Sequence, residues 1–224
     1  MRPDERENQR YATEDYCPIS KEEEMMFRLL AQYTKEKNIF PSQLKILDIG
    51  CGSGKISKEL LKKGYQVIGL DFSEEAIKKA QGQGVVAKRA NLDEGIPETS
   101  DTYDIVWAGD IVEHVFDPIG LLKESARVLK SDGVMFITIP SDVGLLSRIK
   151  MLFGISHQEQ MYMASGFYKH HTFFTPRLIR FMLKKAGLNI HTFKKILILG
   201  KNRYEIQLLP SAFFNEMIIA ARKP

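Results

Sequence analysis

A chain of 224 residues with 44% hydrophobic and 27% charged side chains has the size and make-up of one packed domain with some decoration. Disorder, a collagenous repeat and, with only Cys17 and Cys51, a disulfide framework or a four-cysteine zinc site are excluded. The net charge of +4 is uneven: residues 1–24 hold eight acids against four bases, and Gly144 to Pro224 hold thirteen Lys/Arg against three Glu, a local +10.

The first residues, Met1 to Glu7, are too charged for a secretory signal, so a reducing cytoplasm is the expected setting. No apolar run reaches the roughly 18–20 residues that cross a bilayer. Residues 1–20 lack periodicity and read as an arm, with Tyr11 and Tyr16 candidates for closing over a ligand. Lys21 to Lys37 reads as a helix with Met25, Met26, Leu29, Leu30 and Tyr33 on one stripe, ended by Phe40-Pro41-Ser42. Strands follow at 44–49, 66–71, 84–88, 103–108 and 133–139, with helices at 54–63, 73–82 and 117–130 between them. Apolar strands alternating with helices are the pattern of a parallel sheet covered on both faces. After Pro140 comes a long excursion, 141–170, in which Leu145, Leu146, Ile149, Leu152 and Phe153 share a helical face beside Arg148 and Lys150. Thr175-Pro176 opens another helix, Thr as N-cap and Pro at the first position, running to about Gly187. Residues 188–199 and 216–222 read as the last strands, with an antiparallel insertion of the final one as an option.

Between the first strand and the next helix lies Leu47-Asp48-Ile49-Gly50-Cys51-Gly52-Ser53-Gly54-Lys55. Glycines there let the chain turn tightly and a ligand approach the backbone. Asp71 ends the second strand twenty-one residues after Gly50, where a βαβ unit places an acid that accepts both hydroxyls of an adenosine ribose. A P-loop does not fit, because Lys55 is followed by Ile56 and no glycine stands at position 49. A dinucleotide fingerprint fails by one residue, the third glycine coming early in G-x-G-x-G.

This loop, Asp71, the segment YDIVWAGDIVEHVFDP and the segment LLKESARVLKSDGVMFITIP resemble class I S-adenosylmethionine-dependent methyltransferases of the small-molecule type. The likeness runs from about Leu44 to Pro140, with an echo in HHTFFTPRLIRFMLKKAGL, and its texture is similar to ubiquinone-biosynthesis O-methyltransferases. It implies an α/β fold: a Rossmann-like, doubly wound, mostly parallel seven-stranded sheet with helices on both faces. It divides the chain into 1–43, an arm and helix covering the cofactor site, and 44–224, the methyltransferase domain with an acceptor-pocket insertion at about 141–170. The implied cofactor is S-adenosyl-L-methionine, leaving as S-adenosyl-L-homocysteine. Gly50, Gly52 and Gly54 would pass its methionine half, Asp48 orienting loop and amino group, and Asp71 would hold the ribose. Phe72 would pack on the adenine, Asn91 and Leu92 would meet its edge, Gly109 would offer a carbonyl to the ammonium, and Arg28 would pair with the carboxylate.

Methyl transfer is a displacement at an activated carbon, so the protein mainly positions the reactants and removes a proton. The candidates for that work are His114 with Glu113, and His170, five residues before Thr175 in an H-x-x-x-F-T pattern. For Asp110-Ile111-Val112-Glu113-His114 three roles stay open: a divalent-metal site as in the ubiquinone-type enzymes, a buried Glu–His pair anchoring the loop, and general-base work by His114. A divalent metal is the lesser option. His171, His157 and His191 carry weaker signals or none.

The expected function is methyl transfer to a small-molecule or lipid-like acceptor, at oxygen. The alternative is a non-catalytic cofactor-binding protein acting through a partner. A nucleic-acid substrate is disfavoured, since no Asn/Asp-Pro-Pro-Tyr-like motif follows the fourth strand. The amphipathic segment in 141–170 reads first as a lid packing its apolar face inward. Peripheral contact with an anionic membrane is the other option, and the oligomeric state is not readable.

Overall fold

Eight strands pair into one sheet in the order β3-β2-β1-β4-β5-β8-β6-β7. They are β1 (Lys45–Ile49), β2 (Gln66–Asp71), β3 (Val86–Arg89), β4 (Tyr103–Gly109), β5 (Leu129–Pro140), β6 (Asn189–Leu199), β7 (Asn202–Glu205) and β8 (Glu216–Arg222). The helices are α1 (Lys21–Lys37), α2 (Lys55–Lys62), α3 (Glu74–Gly82), α4 (Pro118–Val128), α5 (Leu145–Leu152) and α6 (Pro176–Lys185). This computed structural model describes residues 18–141, 144–155, 170–199, 202–205 and 214–224. The arm with Tyr11, Tyr16 and Cys17, and the part of the excursion that holds His157, lie outside the described residues.

Strands β1 to β5 are parallel. β8 enters antiparallel between β5 and β6, the insertion that the last apolar run left open. The sheet has eight strands rather than seven because β6 folds back on β7, pairing Leu199 with Asn202. β7 reads Asn-Arg-Tyr-Glu, too short and polar to announce itself by apolar alternation.

Side chains alternate across the pleat, and both faces are buried. In β4, β5 and β8 one set (Val106, Ala108, Met135, Ile137, Met217, Ile219) packs with α4 and α6. The other (Ile105, Trp107, Val134, Phe136, Ile218, Ala220) packs with α1 and α2. That two-sided burial is why these strands read as unbroken apolar runs.

Helix α1 starts at a capping box, with Glu23 N donating to Ser20 Oγ and Ser20 N to Glu23 Oε2. It buries Met26, Leu30 and Tyr33 against the sheet. Its first turn reaches the start of α2, where Lys55 Nζ lies 2.7 Å from Glu23 Oε1.

Strand order reverses between β1 and β4. In an open parallel sheet the crevice beyond the carboxyl ends at such a reversal is where ligands bind. The glycine loop leaves β1 and the Asp110–His114 segment leaves β4 at that place.

Candidate active site

The loop after β1 is pinned to the end of β2. Gly50 N and Cys51 N both donate to Leu70 O, at 2.8 and 2.9 Å. Gly50, Gly52 and Gly54 all hold positive φ. A Cβ on Gly54 would stand 2.9 Å from Ala80 Cβ, so the bare residue lets the loop close on α3. A Cβ on Gly50 would stand 2.8 Å from the Ile111 side chain, so here the glycine loop touches the turn after β4.

Asp71 faces this loop, buried. Its Oδ2 accepts from Gly52 N at 2.8 Å and its Oδ1 from Ser73 N at 2.9 Å. These two backbone N–H groups turn the carboxylate toward the glycine loop. The donor set suits the family's cofactor: an acid for the diol, a glycine loop against it, and no P-loop lysine.

Asp48 lies beneath the loop at 2% exposure, accepting from Ser57 Oγ at 2.6 Å. Burial pushes its pKa up to about 7, helped by the charges of Asp71 and Glu23 and opposed by the Ser57 hydrogen bond. Burial also pushes the Cys51 thiol up, with Asp48 and Asp71 adding to the effect, which leaves it a packing group rather than a nucleophile.

Of the residues expected to meet the adenine, Phe72 is half-buried, and the Arg89 guanidinium lies 5.3 Å from its ring centre. Leu92 is buried in the core. The Asn91 side chain serves its own turn, donating to Glu94 Oε1 at 2.8 Å and accepting from Asp93 N at 3.2 Å. Arg28 is exposed on α1, off the Met26–Leu30–Tyr33 stripe.

The second half of the site follows β4, which ends at Gly109. Thr138 on β5 grips Asp110: its Oγ1 accepts from Asp110 N at 3.1 Å and donates to Asp110 Oδ1 at 2.9 Å. Surrounding protein raises the Asp110 pKa, with Glu23 and Glu22 adding repulsion, although the residue keeps an open side where solvent moderates the effect. Val112–His114 form a 3₁₀ turn that buries Glu113. The Glu113 carbonyl accepts from His171 N at 2.7 Å and Thr172 N at 3.3 Å, bringing the end of the excursion to this turn. His170 and His114 meet edge to face, with ring centres 4.9 Å apart, and Phe116 stacks on His171 at 4.2 Å. Ligand atoms of Glu113, His114 and His170 all lie within 4.8 Å of one another. The three residues proposed for proton handling therefore converge.

A family model described as a methyltransferase domain matches residues 20–192. The chain belongs to this methyltransferase family. The ubiquinone biosynthesis O-methyltransferase of human mitochondria is 34% identical over 158 residues, 66% of this chain and 42% of that protein. The ubiquinone biosynthesis O-methyltransferase of Aliivibrio fischeri is 29% identical over 153 residues, 64% of this chain and 63% of that protein. The chain thus spans less than two thirds of the length of either relative. Among solved structures, an S-adenosylmethionine-dependent methyltransferase from Methanosarcina mazei is similar at a TM-score of 0.62 and 27% identity, covering 80% of this chain and 92% of that one.

In this methyltransferase, His170 rather than Asp110 completes the metal-capable group among the described residues. One carboxylate with two imidazoles suits zinc or iron better than magnesium. Its 4.8 Å spread exceeds the roughly 3–3.5 Å between ligands about 2.1 Å from an ion, so side chains would have to close for one to be held. Ser57, Thr138 and Ile111 are the site residues that sequence reasoning missed. Thr138 and Ile111 act on residues distant in sequence, and Ser57 reaches Asp48 across the glycine loop.

Proposed function

We propose that this methyltransferase moves a methyl group to a hydroxyl oxygen of a small, lipid-like acceptor. The observation that carries the reading is the convergence of Glu113, His114 and His170 on the turn whose Ile111 touches the glycine loop. S-adenosylmethionine, when bound, supplies a methyl group activated by a sulfonium. The chain's own work is to hold and deprotonate. Asp71 and the loop fix the ribose; Asp48 sets the loop and favours a cationic amino group. His114 takes the acceptor's hydroxyl proton as the oxygen–methyl bond forms, and buried Glu113 stabilises the imidazolium. His170 closes the pocket from the other side. Positioning of this kind is worth roughly 7–11 kcal/mol for well-oriented reactants. Oxygen as the accepting atom rests on the similarity to the two O-methyltransferases.

Calorimetric titration with S-adenosylhomocysteine, with NAD and ATP as controls, tests the first half. Micromolar affinity, about −8 kcal/mol, is expected for the thioether alone. Phenolic, amine and lipid-linked compounds are then screened for a mass gain of one methyl group, expected on hydroxyl-bearing acceptors only. Failure of the wild-type chain to bind S-adenosylhomocysteine would overturn the reading.

A further inference from the structure

Ten large apolar side chains are exposed among the described residues, and five fall within one seven-residue stretch: Ile149, Met151, Leu152, Phe153 and Ile155. Met151, Leu152 and Phe153 are 68, 85 and 79% exposed. The others, among them Phe40, Val86 and Tyr204, are spread singly through the chain, as on any soluble surface. Of the helical face that reads as a lid, Ile149, Leu152 and Phe153 meet solvent rather than packing inward.

The chemistry of the segment selects its partner. Gly144 to Ile155 carries Arg148 and Lys150 and no acid, and it opens the +10 third of the chain. Cations beside projecting Leu and Phe side chains match a surface that is anionic outside and apolar beneath, the description of a bilayer with acidic headgroups. With eight residues, α5 is far short of the roughly 20 needed to span one, so it would lie along the interface. Its place fits as well. It begins just after β5 ends at Pro140, on the carboxyl edge of the sheet that carries the glycine loop and the His114 turn.

We infer that α5 and the residues through Ile155 form a docking surface for an anionic lipid bilayer. Docking there turns the site's edge toward the membrane, from which an apolar acceptor is drawn. That delivery role rests on the proposed methyl transfer; the docking itself does not.

The test is co-sedimentation of the full chain with phosphatidylcholine vesicles, with and without phosphatidylglycerol. Wild type is expected in the anionic pellet and not the neutral one, with partition falling severalfold as salt rises from about 0.1 to about 0.5 M. The double variant Leu152→Ser/Phe153→Ser is expected to lose about 10–100-fold in partition, and Arg148→Gln or Lys150→Gln about fivefold each. Phe40→Ser and Val86→Ser, at exposed apolar positions elsewhere, are expected to partition as wild type. Unchanged S-adenosylhomocysteine binding by the double variant shows that it is folded. Equal pelleting of wild type with neutral and anionic vesicles would overturn the inference, as would full retention by the double variant. So would a wild-type dimer in sedimentation velocity that the same substitutions dissociate while vesicles bind neither form. Vesicle binding without S-adenosylhomocysteine binding would sink the methyl-transfer reading and leave the docking surface standing.

Discussion

The two halves of the site are built differently. The half proposed to hold the cofactor lies within residues 48–73, and each part is fixed by the next: Gly50 and Cys51 to Leu70, Gly52 and Ser73 to Asp71, Ser57 to Asp48. The half proposed to meet the acceptor is assembled from the turn at 110–116 and the returning chain at 170–172, held by two backbone hydrogen bonds and two ring contacts. A cofactor shared by many enzymes needs a fixed socket, and backbone hydrogen bonds in a buried loop supply it. An acceptor that differs from enzyme to enzyme is better met by side chains on loops, which change without disturbing the sheet.

That contrast breaks if the halves fail to separate on mutation. The largest effect is expected at His114. His114→Ala should lower turnover about 10²–10⁴-fold, the usual worth of a general base, while S-adenosylhomocysteine affinity stays within about twofold. An equal loss of affinity would mean that the two halves are one structural unit. Asp71→Ala should do the reverse. Removing a carboxylate that holds two backbone N–H groups and a diol is expected to weaken S-adenosylhomocysteine about 100-fold by calorimetry. Asp71→Asn, which keeps one acceptor oxygen, should fall between Ala and wild type. An Asp71→Ala protein that binds as wild type would remove the ribose role.

The same difference explains what could be read beforehand. The loop and its acid are legible because they are local: the glycines, Asp48 and Asp71 sit at spacings set by one βαβ unit. The convergence of His114 and His170 joins residues 56 positions apart, and only the H-x-x-x-F-T pattern hinted at it. Ser57 was invisible because its partner Asp48 is reached across the turn. β7 escaped because a four-residue strand with a single aromatic, Tyr204, carries no readable period, although Gly200-Lys201-Asn202 is turn chemistry. α5 was legible as a helix, yet the sequence left open whether its apolar face packs inward as a lid or meets a membrane. An apolar stripe at helical spacing looks the same whether it faces a pocket or a bilayer, and only packing tells them apart.

The smallest of these effects sharpens the comparison furthest, because it asks what the cofactor half costs the fold. Asp48 is buried with its pKa pushed up to about 7, against about 3.9 for an unfolded aspartate. Between those values the folded chain holds a proton that the unfolded chain has lost, so this group's contribution to stability declines as pH rises through that window. The loss is complete above the folded pKa. Asp48→Asn keeps the size of the side chain and an acceptor for Ser57 Oγ while removing the charge. In thermal or urea unfolding without cofactor, the variant and wild type should match near pH 4. The variant should then gain steadily, becoming more stable by on the order of 2–4 kcal/mol at pH 8. Its affinity for S-adenosylhomocysteine should nevertheless drop about 10-fold at pH 8, because an ionised carboxylate under the loop favours the ligand's ammonium. A stabilised chain that binds its ligand less well would show that the acid is kept for binding at a cost to the fold. If Asp48→Asn is instead destabilised at every pH, Asp48 belongs to the architecture of the loop alone, and the charge preference of the cofactor half must be sought in Asp110 and Glu22.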